Sequence, residues 1–465
     1  MLRKIRIAAA AFFFVLTTLL FLDFTGTLHA WFGWMAKIQF LPALLALNVG
    51  VVAFLVILTL LFGRVYCSVI CPLGVMQDIV SWASGKRRKH RNRFAYSPAL
   101  TWLRRGMLVV FVAAMLAGVG SLLAPYSAYG RIASNLLAPV YAWGNNLLAY
   151  IAGRMDSYAF YSVDVWMKSL STLLVAVVTF AVLFVLAWRS GRTYCNTICP
   201  VGTVLGFLAR YSLFKPRFDT SKCNGCKLCA RNCKASCIDP AAHKIDYSRC
   251  VACMDCLENC RQGAITYTLR RRKPDPAPAP QRPAADAAKT PSDASRRRFL
   301  GLAGIVAYSA LRAQEKKVDG GLAVIVDKKI PNRATPVVPP GAQSLRHFNA
   351  HCTGCQLCVS VCPNQVLRPS GKLMTLMQPE MSFERGYCRP ECTKCAEVCP
   401  TGAIRLTDLA GKSSIQIGHA VWIAENCVVN TDGVNCNNCA RHCPAGAIKM
   451  VRRNPDDPKS PRIPA

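Results

Sequence analysis

Four apolar runs, at 7–21, 41–62, 107–124 and 170–188, constrain the first 190 residues of this 465-residue chain more than any other feature. Each comes close to the ~20 residues that a helix needs to cross ~30 Å of hydrocarbon. None contains an internal charge, which a set of buried helices in a soluble protein would not require. They predict four transmembrane helices. The formal charge of +33 is distributed accordingly. "SGKRRKHRNR" lies between the second and third runs, and "WRSGR" and "RRRK" follow the fourth, whereas the alternate loops 22–40 and 125–166 hold few Lys or Arg. Cytoplasmic loops carry such an excess, so the N-terminus and the segment after Trp188 are expected in the cytoplasm. The basic charge is then a matter of topology and of compensating anionic cofactors, and no nucleic-acid partner is called for.

Two of the runs end in the same motif. "GRVYCSVICPLG", from Gly63, and "GRTYCNTICPVG", from Gly191, share the pattern Gly-Arg-x-Tyr-Cys-x-x-Ile-Cys-Pro-x-Gly. Cys67 and Cys71 are one helical turn apart, as are Cys195 and Cys199, so each pair should share a face at the cytoplasmic end of its helix, with the proline ending that helix. Packing of the second and fourth helices would bring four thiols together as one interfacial cluster. Redox-active dithiols, or inert cysteines at a helix end, are the alternatives.

Most of the 25 cysteines fall in other close-spaced groups. "CNGCKLCARNC" places Cys223, Cys226, Cys229 and Cys233 in the spacing C-x2-C-x2-C-x3-C, and "CVACMDCLENC" repeats it with Cys250, Cys253, Cys256 and Cys260. In two-cluster bacterial ferredoxins the fourth cysteine of each run ligates the other cluster. Cys223, Cys226, Cys229 and Cys260 are therefore expected to hold one [4Fe-4S] cluster, and Cys250, Cys253, Cys256 and Cys233 a second. Zinc needs only two C-x2-C pairs and does not account for the extra cysteines. Cys237 competes with Cys233 as the exchanged ligand, and spacing favours Cys233. Three further groups follow: Cys352, Cys355, Cys358 and Cys362; Cys388, Cys392, Cys395 and Cys399; and, with a long first gap, Cys427, Cys436, Cys439 and Cys443. These predict five [4Fe-4S] clusters, with a sixth if the Cys-Pro pairs hold one. An odd number of exchanging runs leaves one without an obvious partner.

The domain plan is a four-helix membrane domain over 1–215, a two-cluster module over 216–270, a Pro/Ala-rich linker over 271–295 that cannot bury a core, and a segment 296–313 before a three-motif domain over 314–465. Ser295 to Leu300 resembles a twin-arginine export signature, centred on Arg296 and Arg297, followed by a short apolar run. Either export or a fifth anchor helix sends 314–465 out of the cytoplasm; a plain soluble helix keeps it inside. The fold class is thus a membrane protein, a four- to five-helix transmembrane α bundle carrying small α+β ferredoxin-like modules. All seven histidines lie outside the apolar runs, which excludes a bis-histidine haem in the bilayer, and no Gly-rich dinucleotide fingerprint or Ser/His/Asp hydrolytic signature is present.

With paired Cys-x3-Cys-Pro motifs and a two-cluster module, the first 270 residues resemble the NapH-type membrane quinol dehydrogenase component of periplasmic nitrate reductase systems. Related methylamine-utilisation, nitrous-oxide regulatory and cytochrome-oxidase accessory ferredoxins are similar. The segment from Gln314 resembles the exported NapG/MauM-type ferredoxin, joined here in one chain, although that family usually carries four cluster motifs against the three found. The flavin attachment signature of the nitrous-oxide regulator is absent. The resemblance implies a bacterial cytoplasmic-membrane protein that takes electrons from quinol and the quinone pool and passes them to an exported redox partner. An accessory factor that reduces, assembles or matures a partner's metal centre is the alternative. The catalytic residues are not identified by the resemblance.

Overall fold

The computed structural model describes residues 2–86, 94–117, 122–157, 159–165, 168–269, 335–384, 386–405, 407–418, 421–443 and 446–464. The predicted linker 271–295 and the twin-arginine segment 296–313 lie outside the described residues. The chain divides into two units, Met1–Ser413 and Ser414–Ala465.

In the first unit the N-terminal half is helical: α1 (Leu2–Leu22), α2 (Thr27–Phe32), α3 (Trp34–Lys37), α4 (Phe40–Leu45), α5 (Val49–Phe62), α6 (Val65–Val69), α7 (Pro72–Gly85), α8 (Thr101–Leu116), α9 (Pro125–Ile132), α10 (Ala138–Arg154), α11 (Leu170–Ser190), α12 (Thr193–Thr197) and α13 (Pro200–Ala209). Among the described residues, α1 and α11 are long and apolar enough to cross a membrane, and α5 is a shorter apolar helix. Large apolar side chains on them face outward, among them Phe12, Val15, Phe54, Ile57, Leu174 and Val182, as a lipid-facing surface requires. Two of the expected spans differ from the observed helices. The run 41–62 is divided because Leu47 takes a positive φ of 53° and the Asn48 side chain caps α5 by accepting from the Val51 amide at 3.2 Å. The run 107–124 belongs to a helix that starts earlier, at Thr101, and ends at Leu116.

The two Cys-Pro motifs build equivalent structures. Gly63 and Gly191, at φ 74° and 67°, end α5 and α11 in a backbone that an L side chain rarely adopts. The chain then reverses through the short helices α6 and α12 and continues as α7 and α13. The cysteine pairs are therefore not on the last turn of the long helices, as spacing alone suggested. Cys67 and Cys195 sit in the short helices, while Cys71 and Cys199 are the N-caps of α7 and α13. Each proline starts a helix, because its fixed φ and missing N–H suit the first helical position. The returning helices are exchanged: α7 packs on α11, and α13 packs on α5.

Two small modules complete the unit. Strands β1 (Phe214–Phe218) and β4 (Ile265–Leu269) pair antiparallel, as do β2 (Ile238–Asp239) and β3 (Lys244–Ile245), around the helices α14 (Leu228–Arg231) and α15 (Asp255–Asn259). This module meets the start of α1, where Arg3 pairs with Asp255 at 2.9 Å and with Glu258, and the end of α11, where the Arg192 amide donates to the Lys234 carbonyl at 2.9 Å. The module 335–413 meets the other ends. Lys394 Nζ donates to the Thr25 carbonyl at 3.0 Å, just beyond α1, and Lys168 Nζ, just before α11, donates to the Val359 carbonyl at 3.2 Å. Helix α1 is 21 residues long, so at ~1.5 Å per residue roughly 30 Å separates the two sets of contacts along it.

Candidate metal centres

Three of the cysteine loops have an alternating backbone that their sequence only hints at. Positive φ recurs at the residue before the second cysteine and at the one after it: Gly225 (71°) and Lys227 (58°), Ala252 (50°) and Met254 (62°), Gly354 (58°) and Gln356 (66°). Such alternation turns successive amide N–H groups into one concavity, a form suited to anions and found at iron-sulfur sites.

The thiols meet as exchanged ligands would. Cys223, Cys226 and Cys229 line one cavity with Cys260. A second is lined by Cys250, Cys253 and Cys256 together with Cys233 and Cys237. Cys237 stands four residues after Cys233, at the place that Ala264 occupies after Cys260, and Ser236 (φ 49°) there matches Gly263 (φ 62°). Its Sγ lies 3.5 Å from that of Cys233, and it packs in a core with Ile238, Ile245 and Ile265.

In the module 335–413, Cys352, Cys355 and Cys358 share a cavity with Cys399 of the following run. Cys362 lies within electrostatic reach of Cys388 and Cys395, with Cys392 in the same group. These two runs are thus each other's partners, which leaves the run at Cys427, Cys436, Cys439 and Cys443 in the second unit as the odd one. In that unit Cys427 caps the helix Val428–Thr431 and Cys439 lies on the helix Asn438–Arg441. Among the described residues, no three His, Cys, Asp or Glu side chains converge as the ligands of a single metal ion do. A donor set of thiols alone, in loops whose amides face inward, fits iron-sulfur clusters.

The Cys-Pro motifs converge as well, and their other residues explain why. Arg64 Nη2 donates to the carbonyl of Cys195 at 3.1 Å, and Arg192 Nη1 donates to the carbonyl of Cys67 at 2.7 Å, so each arginine crosses to the other repeat. The same two groups approach the sulfurs of their own repeats, at 3.7 Å for Cys67 and 3.9 Å for Cys195. Gln77 Nε2 donates to Cys195 Sγ at 3.3 Å, and the Gly202 amide to Cys199 Sγ at 3.3 Å. The glycine that closes each motif admits the crossing arginine. A Cβ on Gly74 would lie 2.2 Å from the Cys67 oxygen and 2.6 Å from Arg192 Nη1, and one on Gly202 2.3 Å from the Cys195 oxygen and 2.8 Å from Arg64 Nη2. Gly202→Ala is therefore expected to destabilise the protein by ~1–3 kcal/mol, the ordinary scale of overpacking. Gly85→Ala, with nothing within 4 Å of the added methyl, should leave the melting temperature in detergent unchanged; equal melting of the two variants would contradict the packing argument.

Charge is concentrated where α7 meets the first module. Asp78 accepts from Arg192 Nε at 2.9 Å and pairs with Arg6 at 2.9 Å and Lys234 at 3.5 Å. Burial alone would raise its pKa, but Arg192 and Lys234, with Arg6, hold it well below the usual carboxylate range. Asp78 and Gln77 belong to no cluster-ligand motif and were not expected from the sequence; Arg64 and Arg192 stand in the repeated motif but are not ligand types.

Comparison with known proteins accords with this chemistry. The 4Fe-4S binding domain profile matches residues 44–90 and 172–221, the two Cys-Pro repeats, and the 4Fe-4S dicluster domain profile matches 351–403. The chain thus carries segments similar to 4Fe-4S binding domains. It is 29% identical to the ferredoxin-type protein NapH of Escherichia coli (strain K12) over 42% of its own length and 55% of NapH. The methylamine utilization ferredoxin-type protein MauN of Paracoccus denitrificans is 28% identical over 37% of this chain and 48% of MauN. MauM of Methylophilus methylotrophus is 33% identical over 24% of this chain and 50% of MauM. The chain thus spans about half the length of these relatives. No solved structure matches it.

Proposed function

We propose that this protein is a membrane-bound electron carrier that oxidises quinol and passes the electrons through iron-sulfur clusters to an oxidoreductase outside the cytoplasm. Cys223, Cys226, Cys229 and Cys260 hold one cluster, Cys250, Cys253, Cys256 and Cys233 a second, Cys352, Cys355, Cys358 and Cys399 a third, and Cys388, Cys392, Cys395 and Cys362 a fourth; Cys427, Cys436, Cys439 and Cys443 supply a fifth. The observation that carries the quinol assignment is a cavity of about 720 Å³ at the end of α1 away from Arg3. Phe24, Tyr141, Trp143 and Tyr161 line it, Asn135 and Lys168 supply polar groups, and Cys362 borders it. Volume and an aromatic lining with polar groups among it suit a ring with two oxygen atoms at its ends, and the cluster that Cys362 would help to hold would put an electron acceptor beside it.

Anaerobic mixing with a water-soluble quinol analogue is expected to bleach the cluster absorbance. Filling the cavity with Ala142→Trp should slow this at least tenfold, ~1.4 kcal/mol in the barrier, without affecting reduction by dithionite. Failure of every quinol analogue to reduce any cluster would defeat the assignment. What supports an outer location for the module 335–413 is its contact with the ends of α1 and α11 opposite to those that meet the module 214–269. The twin arginines would direct its export. Changing Arg296 and Arg297 to Lys should then protect residues 314–465 from protease in spheroplasts, and equal digestion of variant and native protein would count against export.

A further inference from the structure

We propose that Cys67, Cys71, Cys195 and Cys199 together hold one further [4Fe-4S] cluster, assembled across the two repeats within the helical domain, with Arg64 and Arg192 as its positioning residues. The inference rests on the iron-sulfur reading of the chain and is independent of quinol.

The four thiols are each only 5% exposed and carry no disulfide. Two of them cap α7 and α13, of 14 and 10 residues, and a helix N-terminus favours an anionic sulfur. Charge balance separates a cluster from paired dithiols. Arg64 and Arg192 are both wholly buried. Arg192 is balanced by Asp78, but Arg64 has no acidic partner among the described residues. Its donors reach Asn196 Oδ1 at 2.8 Å, the carbonyls of Cys195 and Ser248, and Cys67 Sγ. A buried cation is costly unless a charge of opposite sign offsets it. Neutral thiols, or disulfides within the pairs, leave Arg64 uncompensated; four thiolates around an iron-sulfur cube make a net anion that compensates it. The crossed arginines then have a reason to cross, because each ties its own repeat's sulfur to the other repeat's backbone around a shared centre.

The surroundings place this centre between the two modules. Arg64 also donates to the Ser248 carbonyl at 3.2 Å, beside the loop of Cys250. On the other side Tyr194 Oη donates to the Leu123 carbonyl at 3.0 Å, ahead of the fully buried helix α9. Arg131 of α9 lies within electrostatic reach of Tyr194 and Cys355, and Tyr126 within reach of Cys355 and Cys399. A cluster here takes up one electron and gives up one, with no proton moved and no bond broken, and so offers a relay point between clusters on either side.

Iron and acid-labile sulfide are to be counted on the full chain purified anaerobically. Six four-iron clusters predict about 24 iron atoms per chain, and about 20 in the Cys67→Ser, Cys195→Ser double variant, with loss of one component from the electron paramagnetic resonance spectrum of the dithionite-reduced protein. Arg64→Gln should lose or shift that same component, and Arg64→Lys should restore it in part. A native protein with about 20 iron atoms, or a double variant that keeps its iron and its spectrum, would overturn the proposal while leaving the ferredoxin modules intact. Bound zinc in place of iron would instead overturn the iron-sulfur reading on which it rests. The native count holds even if the double variant does not accumulate.

Discussion

Cys260→Ala is expected to empty the cluster site of the run that begins at Cys223, and to leave the site of its own run filled. The cavity bounded by Cys223, Cys226 and Cys229 is closed by Cys260, the C-cap of α15, which packs on α14. Removing that thiol takes one of four ligands from the first cluster and none from the second. The loss should be about four iron atoms and four sulfides per chain, with the resonance signal of a coupled pair of reduced clusters collapsing to that of an isolated one. Cys399→Ala should act in the same way on the run at Cys352. Cys237→Ala should cost no iron, because Cys233 occupies the position equivalent to Cys260. If Cys260→Ala instead emptied the site of Cys250, Cys253 and Cys256, the exchange of ligands would be disproved.

The second large effect is expected at Asp78. Three cations, Arg6, Arg192 and Lys234, converge on its carboxylate from α1, from the second Cys-Pro repeat and from the first cluster module. Asp78→Asn leaves them facing a neutral amide in a buried place, where breaking such a set costs ~3–5 kcal/mol. The sign of the pH dependence follows from the lowered pKa. A carboxylate whose folded pKa lies below its unfolded value contributes fully above that unfolded value, about 3.9, and the contribution fades as the pH falls towards the folded one. The native protein should therefore exceed the variant in thermal stability by a constant margin from neutral pH down to about pH 5, and by a shrinking one below that. A margin that widened on acidification would contradict this account.

Much of the site chemistry was legible because a cluster loop is local. Three cysteines two residues apart can wrap one object only, so the grouping at Cys223, Cys250 and Cys352, and the place of Cys260 in the cavity of the first group, could be expected from spacing. The exchange between the runs at Cys352 and Cys388 could not, since the sequence offers three outer runs and no rule for pairing them; contact between Cys399 and the first loop decides it. The helical domain was legible in its longest apolar runs and less so in its breaks. Asn48 as a cap within an apolar stretch is a weak signal against 22 uncharged residues in 41–62. Pro72 and Pro200 begin helices where an end was expected, because a proline after a cysteine pair marks a helix boundary without saying on which side the helix lies. Asp78 and Gln77 carry no motif, and only the packing of α7 on α11 gives them partners.

The exchange of returning helices between the repeats also fixes an order of events during synthesis. While the ribosome has made only the first repeat, α7 has no α11 to lie on and α5 has no α13, so Cys67 and Cys71 sit in an open half-site with Arg64 reaching for a carbonyl that does not yet exist. The half-site closes only when residues through Gly202 have been inserted. On the cluster proposed above, cofactor loading at these four cysteines would come after the second repeat has been made, and the first half of the domain made alone should be a substrate for proteolysis, not a smaller working unit.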